Sequence, residues 1–160
     1  MKNKNKGFTL IELLVTIGIL SSLFSILIII INPVEYKKKA RDSRRLADIT
    51  NLAIAIESYK LKTGSYPDTE DTTRVSTTPV SPSTDIYKST GGWIGEDLSD
   101  YLDKMFADPR NDSTYYYSYR HNSTDYELNA TLEYYLDKAT DDGGNNNNKY
   151  EVGTDLTILN

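Results

Sequence analysis

Glu12 is the residue whose chemical setting is hardest to explain by packing alone. It is the one charged residue in the apolar run from Phe8 to Ile31. A charged side chain in the middle of a membrane span costs roughly 2.5–3.5 kcal/mol, and less near an interface. Such an acid needs a cation at similar depth, but the run contains no Lys, Arg or His. Glu12 is therefore the first candidate functional residue, and the alternative is a carboxylate that reaches interfacial water.

Residues for catalysis are otherwise scarce. The chain has no Cys, which excludes disulfides, thiolate chemistry and Cys-based metal sites, and it has a single His, His121. It contains neither a Gly-rich phosphate loop nor a nucleophile elbow. We expect a protein that is not an enzyme, although a carboxylate pair among the 23 acidic residues stays open.

The distribution of charge along the chain indicates which kinds of partner the protein can bind. The formal net charge is −5, and the basic residues concentrate in the first six positions and between Lys37 and Arg45. An acidic body argues against a specific nucleic-acid site, which needs clustered cations. The basic residues from Lys37 to Arg45 are expected to contact lipid headgroups or acidic residues of neighbouring molecules.

The apolar run predicts a membrane span. Phe8 to Ile31 is 24 residues long, and at ~1.5 Å per residue a helix of that length spans roughly 36 Å, enough for the ~30 Å hydrocarbon core. Three lysines, Lys2, Lys4 and Lys6, flank its N-terminal end. They predict that this end is cytoplasmic and that the rest of the chain lies outside.

A second helix is predicted from Val34 to about Lys62. Its main apolar arc contains Leu46, Ile49, Leu52, Ala53, Ile56 and Tyr59. A smaller stripe of Ala47, Ile54 and Leu61 has no obvious partner within one molecule and suggests packing against neighbours. Because Lys60 falls inside the main arc, a loosely amphipathic helix is the alternative. Pro33 predicts a kink or break before this helix, and Gly64 predicts its end.

The C-terminal half favours strands. Tyr is common there, and aromatic residues suit pleated, half-buried strands. Strands are predicted at 115–120, 126–132 and, more weakly, 150–158, with a hairpin turn at 121–125. Residues 68–90 read as an irregular loop, 97–105 as a short helix, and 141–148 as a low-complexity loop. The expected fold class is α+β, with a long N-terminal helix packed on a small antiparallel sheet.

The stretch from Lys6 to Val15, KGFTLIELLV, resembles the class III signal of type IV prepilins and pseudopilins. The resemblance implies that a prepilin peptidase cuts after Gly7 and N-methylates the new N-terminus, Phe8. It also implies that Glu12 acts in assembly by pairing with the α-amino group of Phe8 on a neighbouring subunit. Further along, Thr63–Pro67, Gly92–Trp93, Tyr101–Leu102 and Asp108–Pro109 look like the major-pseudopilin arrangement. The chain departs from many type IVa pilins by lacking Cys and by placing Pro33 just past the span.

This resemblance implies a division into a leader (1–7), a transmembrane and assembly helix (8–31), an amphipathic continuation (32–63) and a globular pilin domain (64–160). The function expected first is a structural subunit of a type IV pilus-like filament. The alternative is a type II secretion pseudopilin, and a signal-anchored binding module is less favoured. Implied partners are further copies of the chain, the peptidase, and an inner-membrane assembly platform with its ATPase. The implied location is first the cytoplasmic membrane and then a cell-surface filament.

The resemblance also suggests a bound calcium ion, because calcium stabilises the C-terminal loop of major pseudopilins. The candidate oxygen ligands are Asp141, Asp142, Asn145 and Asp155. Their spacing matches no EF-hand, and Ca²⁺ needs six to eight oxygens. The alternative is a solvated polar loop without a cofactor.

Overall fold

The structure is a computed structural model that describes residues 7–159, without the side chains of residues 28–31. The chain divides into two compact units, one ending at Lys37 and the other beginning at Lys38. The leader prediction for residues 1–6 lies outside the described residues.

The first unit contains helix α1, Leu10–Ile31. It is the one helix of the described residues that is long and apolar enough to cross a membrane, and none of its side chains from Leu10 to Leu27 is buried. Its four hydroxyl side chains donate hydrogen bonds to carbonyls of the same helix, which satisfies them without water. These donors are Thr16, Ser21, Ser22 and Ser25.

The predicted break near Pro33 is confirmed. Helix α1 ends at Ile31, Asn32 adopts a left-handed conformation with φ 43°, and helix α2 runs over Pro33–Thr63. Proline suits the first position of a helix because its missing N–H has no helical partner there. Gly64, at φ 89°, ends α2 as predicted, and its N–H donates to Lys60 O at 2.8 Å.

The two predicted faces of α2 differ in exposure. On the main arc Ile49, Leu52 and Ile56 are completely buried, whereas Ile54 and Leu61 on the second stripe are 58% and 88% exposed. Lys60 fits within the arc because its ammonium lies 3.8 Å from the centroid of the Tyr66 ring and donates to Thr124 O at 2.8 Å. Its polar end therefore reaches partners while its stem covers apolar surface.

The second unit contains a four-stranded antiparallel sheet in the order β1-β2-β3-β4. Its strands are β1 Arg74–Val75, β2 Tyr117–His121, β3 Tyr126–Ala130 and β4 Tyr150–Gly153. The three predicted strands and the α+β class are confirmed. Strand β1 lies in the segment predicted to be irregular.

Tyrosines form the inner face of the sheet and join it to α2. Tyr117, Tyr119 and Tyr126 are at most 1% exposed and belong to the same core as Ile49 and Leu52. The hydroxyl of Tyr117 donates to Asp48 Oδ2 at 3.0 Å, and that of Tyr126 donates to Glu57 Oε1 at 2.8 Å. Each ring thus contributes apolar area to the core while its hydroxyl stays paired on α2 or near it.

The prediction of a short helix at 97–105 is wrong. The apolar residues Leu98, Leu102 and Met105 are buried as the pattern requires, but the backbone makes a single turn. The N–H of Leu98 donates to Ser89 O at 2.8 Å and that of Met105 to Tyr87 O at 2.9 Å, so a neighbouring loop takes the place of helical partners. A short helix that was not predicted, α3, covers Leu136–Thr140.

Candidate processing and assembly site

Glu12 lies in the first turn of α1 and is held by Thr9. Glu12 Oε2 accepts hydrogen bonds from the Thr9 N–H at 2.9 Å and from the Thr9 hydroxyl at 2.7 Å. The Thr9 hydroxyl in turn accepts from the Glu12 N–H at 3.3 Å. This reciprocal capping box satisfies two backbone N–H groups that the helix start leaves free. It fixes the carboxylate at the N-terminal end of the apolar helix, although both residues are exposed.

Gly7 and Phe8 precede the helix and are accessible. Phe8 is 81% exposed, and a Cβ added at Gly7 would meet no heavy atom within 4 Å. The backbone at this junction is not hydrogen-bonded into α1, which begins at Leu10. The peptide bond between Gly7 and Phe8 is thus open to approach, and the new amino group that a cut would create lies about one turn before Glu12 in sequence.

The expectation that the basic residues from Lys37 to Arg45 contact lipid headgroups or neighbouring molecules is wrong for Arg45. Its side chain is completely buried and forms bonds to three acids. Two nitrogens bind Asp108 at 2.6 and 2.9 Å, and a third binds both Asp42 and Glu133 at 2.7 Å. Arg41 adds a bidentate pair to Glu133 at 2.5 and 2.6 Å. We call these five residues the Arg45 cluster, and it ties α2 to two distant loops.

Asp42 completes this arrangement from the acidic side. Its carboxylate accepts backbone N–H groups from Glu133 at 3.0 Å, Tyr134 at 2.7 Å and Tyr135 at 3.1 Å. Consecutive N–H groups converging on one carboxylate stabilise its charge without another cation. Asp42 therefore fixes the turn after β3 directly onto α2.

Electrostatics in the Arg45 cluster favour the charged forms. Burial opposes the charge of Arg45, but hydrogen bonds to Asp108, Glu133 and Asp42 outweigh it and raise the pKa of Arg45. The hydrogen bond from Arg41, opposed by burial and reinforced by Arg45, lowers the pKa of Glu133 to about 2. Because this pKa lies below the usual value of 4.5, the stabilisation from Glu133 is present above about pH 4.5 and is lost as the pH falls towards 2.

The predicted calcium ligands are brought near one another in part. The N–H of Asn145 donates to Leu156 O at 3.3 Å, which places the loop beside the C-terminal segment that carries Asp155. Asp142 already accepts the N–H of Glu151 at 2.8 Å, and Asp155 accepts that of Thr157 at 3.1 Å. Among residues 7–159, no group of three or more His, Cys, Asp or Glu forms a metal cluster. Calcium binding stays a prediction.

An apolar helix with an acid in its first turn, a second amphipathic helix and an antiparallel sheet together define the pilin-like class of α+β proteins. Comparison with known families agrees. Residues 2–30 match the family described as a prokaryotic N-terminal methylation motif, and residues 32–150 match type II secretion system (T2SS) protein G. The second match covers well over half of the chain, so the chain belongs to the type II secretion system protein G family.

Similar curated proteins carry the name type II secretion system core protein G. The chain is 39% identical over 67 residues to the protein of Pectobacterium carotovorum subsp. carotovorum, covering 42% of each chain. For Aeromonas hydrophila the identity is 39% over 69 residues, covering 43% of this chain and 47% of the relative. For Vibrio cholerae serotype O1 it is 35% over 92 residues, covering 57% and 61%. The chain spans about half the length of these relatives, and no solved structure matches it significantly.

Proposed function

We propose that this chain is the precursor of a type II secretion pseudopilin, a structural subunit that polymerises and performs no catalysis. The observation that carries the proposal is the protein G match over residues 32–150 together with an acid capped at the start of an apolar helix. It favours the alternative that the sequence left open over the type IV pilus subunit, which was expected first. Membrane anchoring follows from the apolar helix α1, and the orientation with the N-terminal end in the cytoplasm is part of the proposal.

The chemistry of assembly begins with a cut after Gly7. Before the cut, the described partners of the Glu12 carboxylate come from Thr9. The cut creates an α-amino cation at Phe8, which supplies a positive charge that the apolar run lacks. In a filament with axially offset subunits, Glu12 of an incoming copy pairs with Phe8 of its neighbour. The apolar surface of α1 is then buried among identical helices once it leaves the lipid.

Proteolytic processing tests this proposal directly. We expect the native protein, purified from cells that contain a prepilin peptidase, to begin at N-methylated Phe8. Gly7→Val should retain Met1, because the added side chain obstructs the close backbone approach needed at the cut. Intact-mass spectrometry distinguishes the two forms.

Gly18→Val provides the matched control, since Gly18 lies within α1 and also has open space around it. This variant should be processed normally. A wild-type protein that keeps Met1 would support the membrane-tethered binding module instead.

The second stripe of α2 offers a contact for neighbouring subunits. Ile54 and Leu61 are 58% and 88% exposed on a helix whose opposite face is buried. Ile54 also borders a surface depression that is lined by Tyr101 and Phe106. We infer that this stripe packs against a second copy in the filament.

Charging the stripe should block assembly without unfolding the subunit. We expect the double variant Ile54→Asp, Leu61→Asp to form no filaments, because two carboxylates would be buried in the contact. Its unfolding midpoint should change little, since both positions are exposed in the single molecule. Electron microscopy of filaments and urea unfolding in micelles provide the two measurements. Thr77→Asp, at an exposed position in the loop after β1 and outside α2, should assemble; equal filament yields from both variants would exclude the stripe as an interface.

Polymerisation of this kind needs energy from other proteins. Pulling α1 out of lipid is unfavourable, and the sequence contains no phosphate-binding loop for a nucleotide. The proposed partners are therefore the prepilin peptidase and an inner-membrane platform with its ATPase, besides further copies of the chain.

A further inference from the structure

The basic segment that follows the membrane helix is only partly used inside the molecule. Four of the six basic side chains between residues 37 and 45 contact partners in the second unit. These four are Lys39, Arg41, Arg44 and Arg45. The other two, Lys37 and Lys38, form no ion pair or hydrogen bond with another of the residues that the structure describes. Lys37 is exposed and Lys38 is partly exposed, so two adjacent cations are left for an external partner.

The position of these lysines in the chain places them close to lipid headgroups. Helix α1 has 22 residues and is therefore about 33 Å long, which matches the ~30 Å hydrocarbon core. Lys37 follows the last residue of α1, Ile31, by six positions, or about 9 Å at the rise of a helix. The headgroup layer on each side of the core is about 5–7 Å thick. Flexible lysine side chains can turn back to reach this layer.

The neighbouring residues agree with an interfacial position. Val34 and Tyr36 are 63% and 62% exposed, and tyrosine is enriched at membrane–water interfaces because its ring is apolar and its hydroxyl is polar. The acid nearest to the two lysines on their N-terminal side is Glu35. Its carboxylate accepts a hydrogen bond from Asn32 Nδ2 at 3.3 Å. The start of α2 therefore has the mixed apolar and cationic character of a segment at a membrane surface.

Acidic residues of a second copy are the alternative partner for the lysines. The acids that contact the N-terminal half of α2 are already bound to arginine, and they are Asp42, Asp108 and Glu133. The exposed acid Asp100 pairs with Lys62 near the other end of α2, about 36 Å from Lys38 along the helix axis. A neighbouring copy would need a matching axial offset to bring this acid to the lysines. Lipid headgroups around the end of α1 need no such offset.

We propose that Lys37 and Lys38 bind the anionic headgroups of lipids in the leaflet that surrounds the end of α1. This contact rests on the membrane anchoring in the proposed function and adds a lipid partner to it. It also fixes the depth of the helix. With Ile31 at one edge of the hydrocarbon core, Glu12 lies about 29 Å away, close to the opposite edge. The cleavage site after Gly7 is thereby held at the opposite membrane surface.

Native mass spectrometry of the full-length chain in a neutral detergent tests the lipid contact. The two probes are phosphatidylglycerol, which is anionic, and phosphatidylcholine, which is zwitterionic, with identical acyl chains. One lysine at an anionic lipid surface contributes about fivefold in affinity, so the wild type should prefer phosphatidylglycerol roughly 30-fold. The double variant Lys37→Gln, Lys38→Gln should bind the two lipids about equally. Each single variant should lose about fivefold of the preference.

The double variant Lys104→Gln, Lys138→Gln is the matched control, because it removes two charges at exposed positions elsewhere in the chain. It should keep the wild-type preference. The proposal is overturned if the wild type shows no preference, or if the control loses as much as Lys37→Gln, Lys38→Gln. It is also overturned if Lys37→Gln, Lys38→Gln keeps the preference but forms no filaments, since the lysines would then contact a neighbouring copy. Cleavage after Gly7 and filament assembly are measured separately, so a negative lipid result leaves the proposed function intact.

Discussion

Replacing Arg45 with Met should strongly destabilise the second unit. Met is unbranched and replaces the aliphatic part of the Arg side chain, but it carries no charge. The substitution therefore leaves Asp42, Asp108 and Glu133 without their central cation. The side chains of these acids are at most 3% exposed. Breaking a buried ion pair on one side typically costs about 3–5 kcal/mol, a large share of the ~5–15 kcal/mol that stabilises a domain. Urea unfolding in micelles, followed by Trp93 fluorescence, measures the loss.

Arg44→Met is the control for this prediction. Arg44 is next to Arg45 in sequence, but its side chain is 58% exposed and lies 3.5 Å from Asp48. Because the Arg44 side chain is largely solvated and the buried Asp48 keeps the hydrogen bond from Tyr117, loss of this pair should cost only about 1 kcal/mol, and the variant should remain folded. If both variants unfolded at the same urea concentration, the Arg45 cluster would have no special role in stability.

Burial of Arg45 shows what the sequence could not reveal. Local periodicity predicted the apolar arc of α2 because its residues recur every three or four positions on one element. Arg45 sits in a run of basic residues, which indicates a solvated face. Its partners Asp108 and Glu133 lie 63 and 88 positions away, and no local pattern indicates such contacts. The i, i+3 pair with Asp42 was visible, but such spacing is common on exposed helices.

The incorrect prediction of a helix at 97–105 has a related cause. The spacing of Leu98, Leu102 and Met105 correctly identified buried residues. Burial on one side is also achieved by a turn followed by irregular chain when another segment supplies the hydrogen bonds. Residues 87–89 do so here through Ser89 and Tyr87. Periodicity therefore predicted which residues face the core but not the path of the backbone between them.

The processing and assembly site stays a prediction made from a short motif, and part of its local geometry could be predicted as well. The motif indicated Gly7, Phe8 and Glu12 as candidates but not Thr9, which is hydrogen-bonded to Glu12 in the structure. The pattern Thr-x-x-Glu before an apolar run is the signature of a capping box. The role of Thr9 at the helix start could therefore have been predicted from the sequence. The kind of filament was harder to predict, because the class III signal is shared by pilins and pseudopilins. The protein G match begins only at residue 32.

Replacing Glu12 with Gln should abolish filaments while leaving membrane insertion and cleavage after Gly7 intact. The amide still accepts the hydrogen bonds from Thr9 but carries no charge to pair with the amino group of a neighbouring Phe8. Glu12→Ala should fail equally, whereas Thr16→Ala, which removes a hydroxyl bonded to Leu13 O, should assemble. Membrane fractionation, intact-mass spectrometry and electron microscopy measure the three steps separately. Normal filaments from Glu12→Gln would show that the acid only caps the helix, because a capping role needs an acceptor oxygen and no charge.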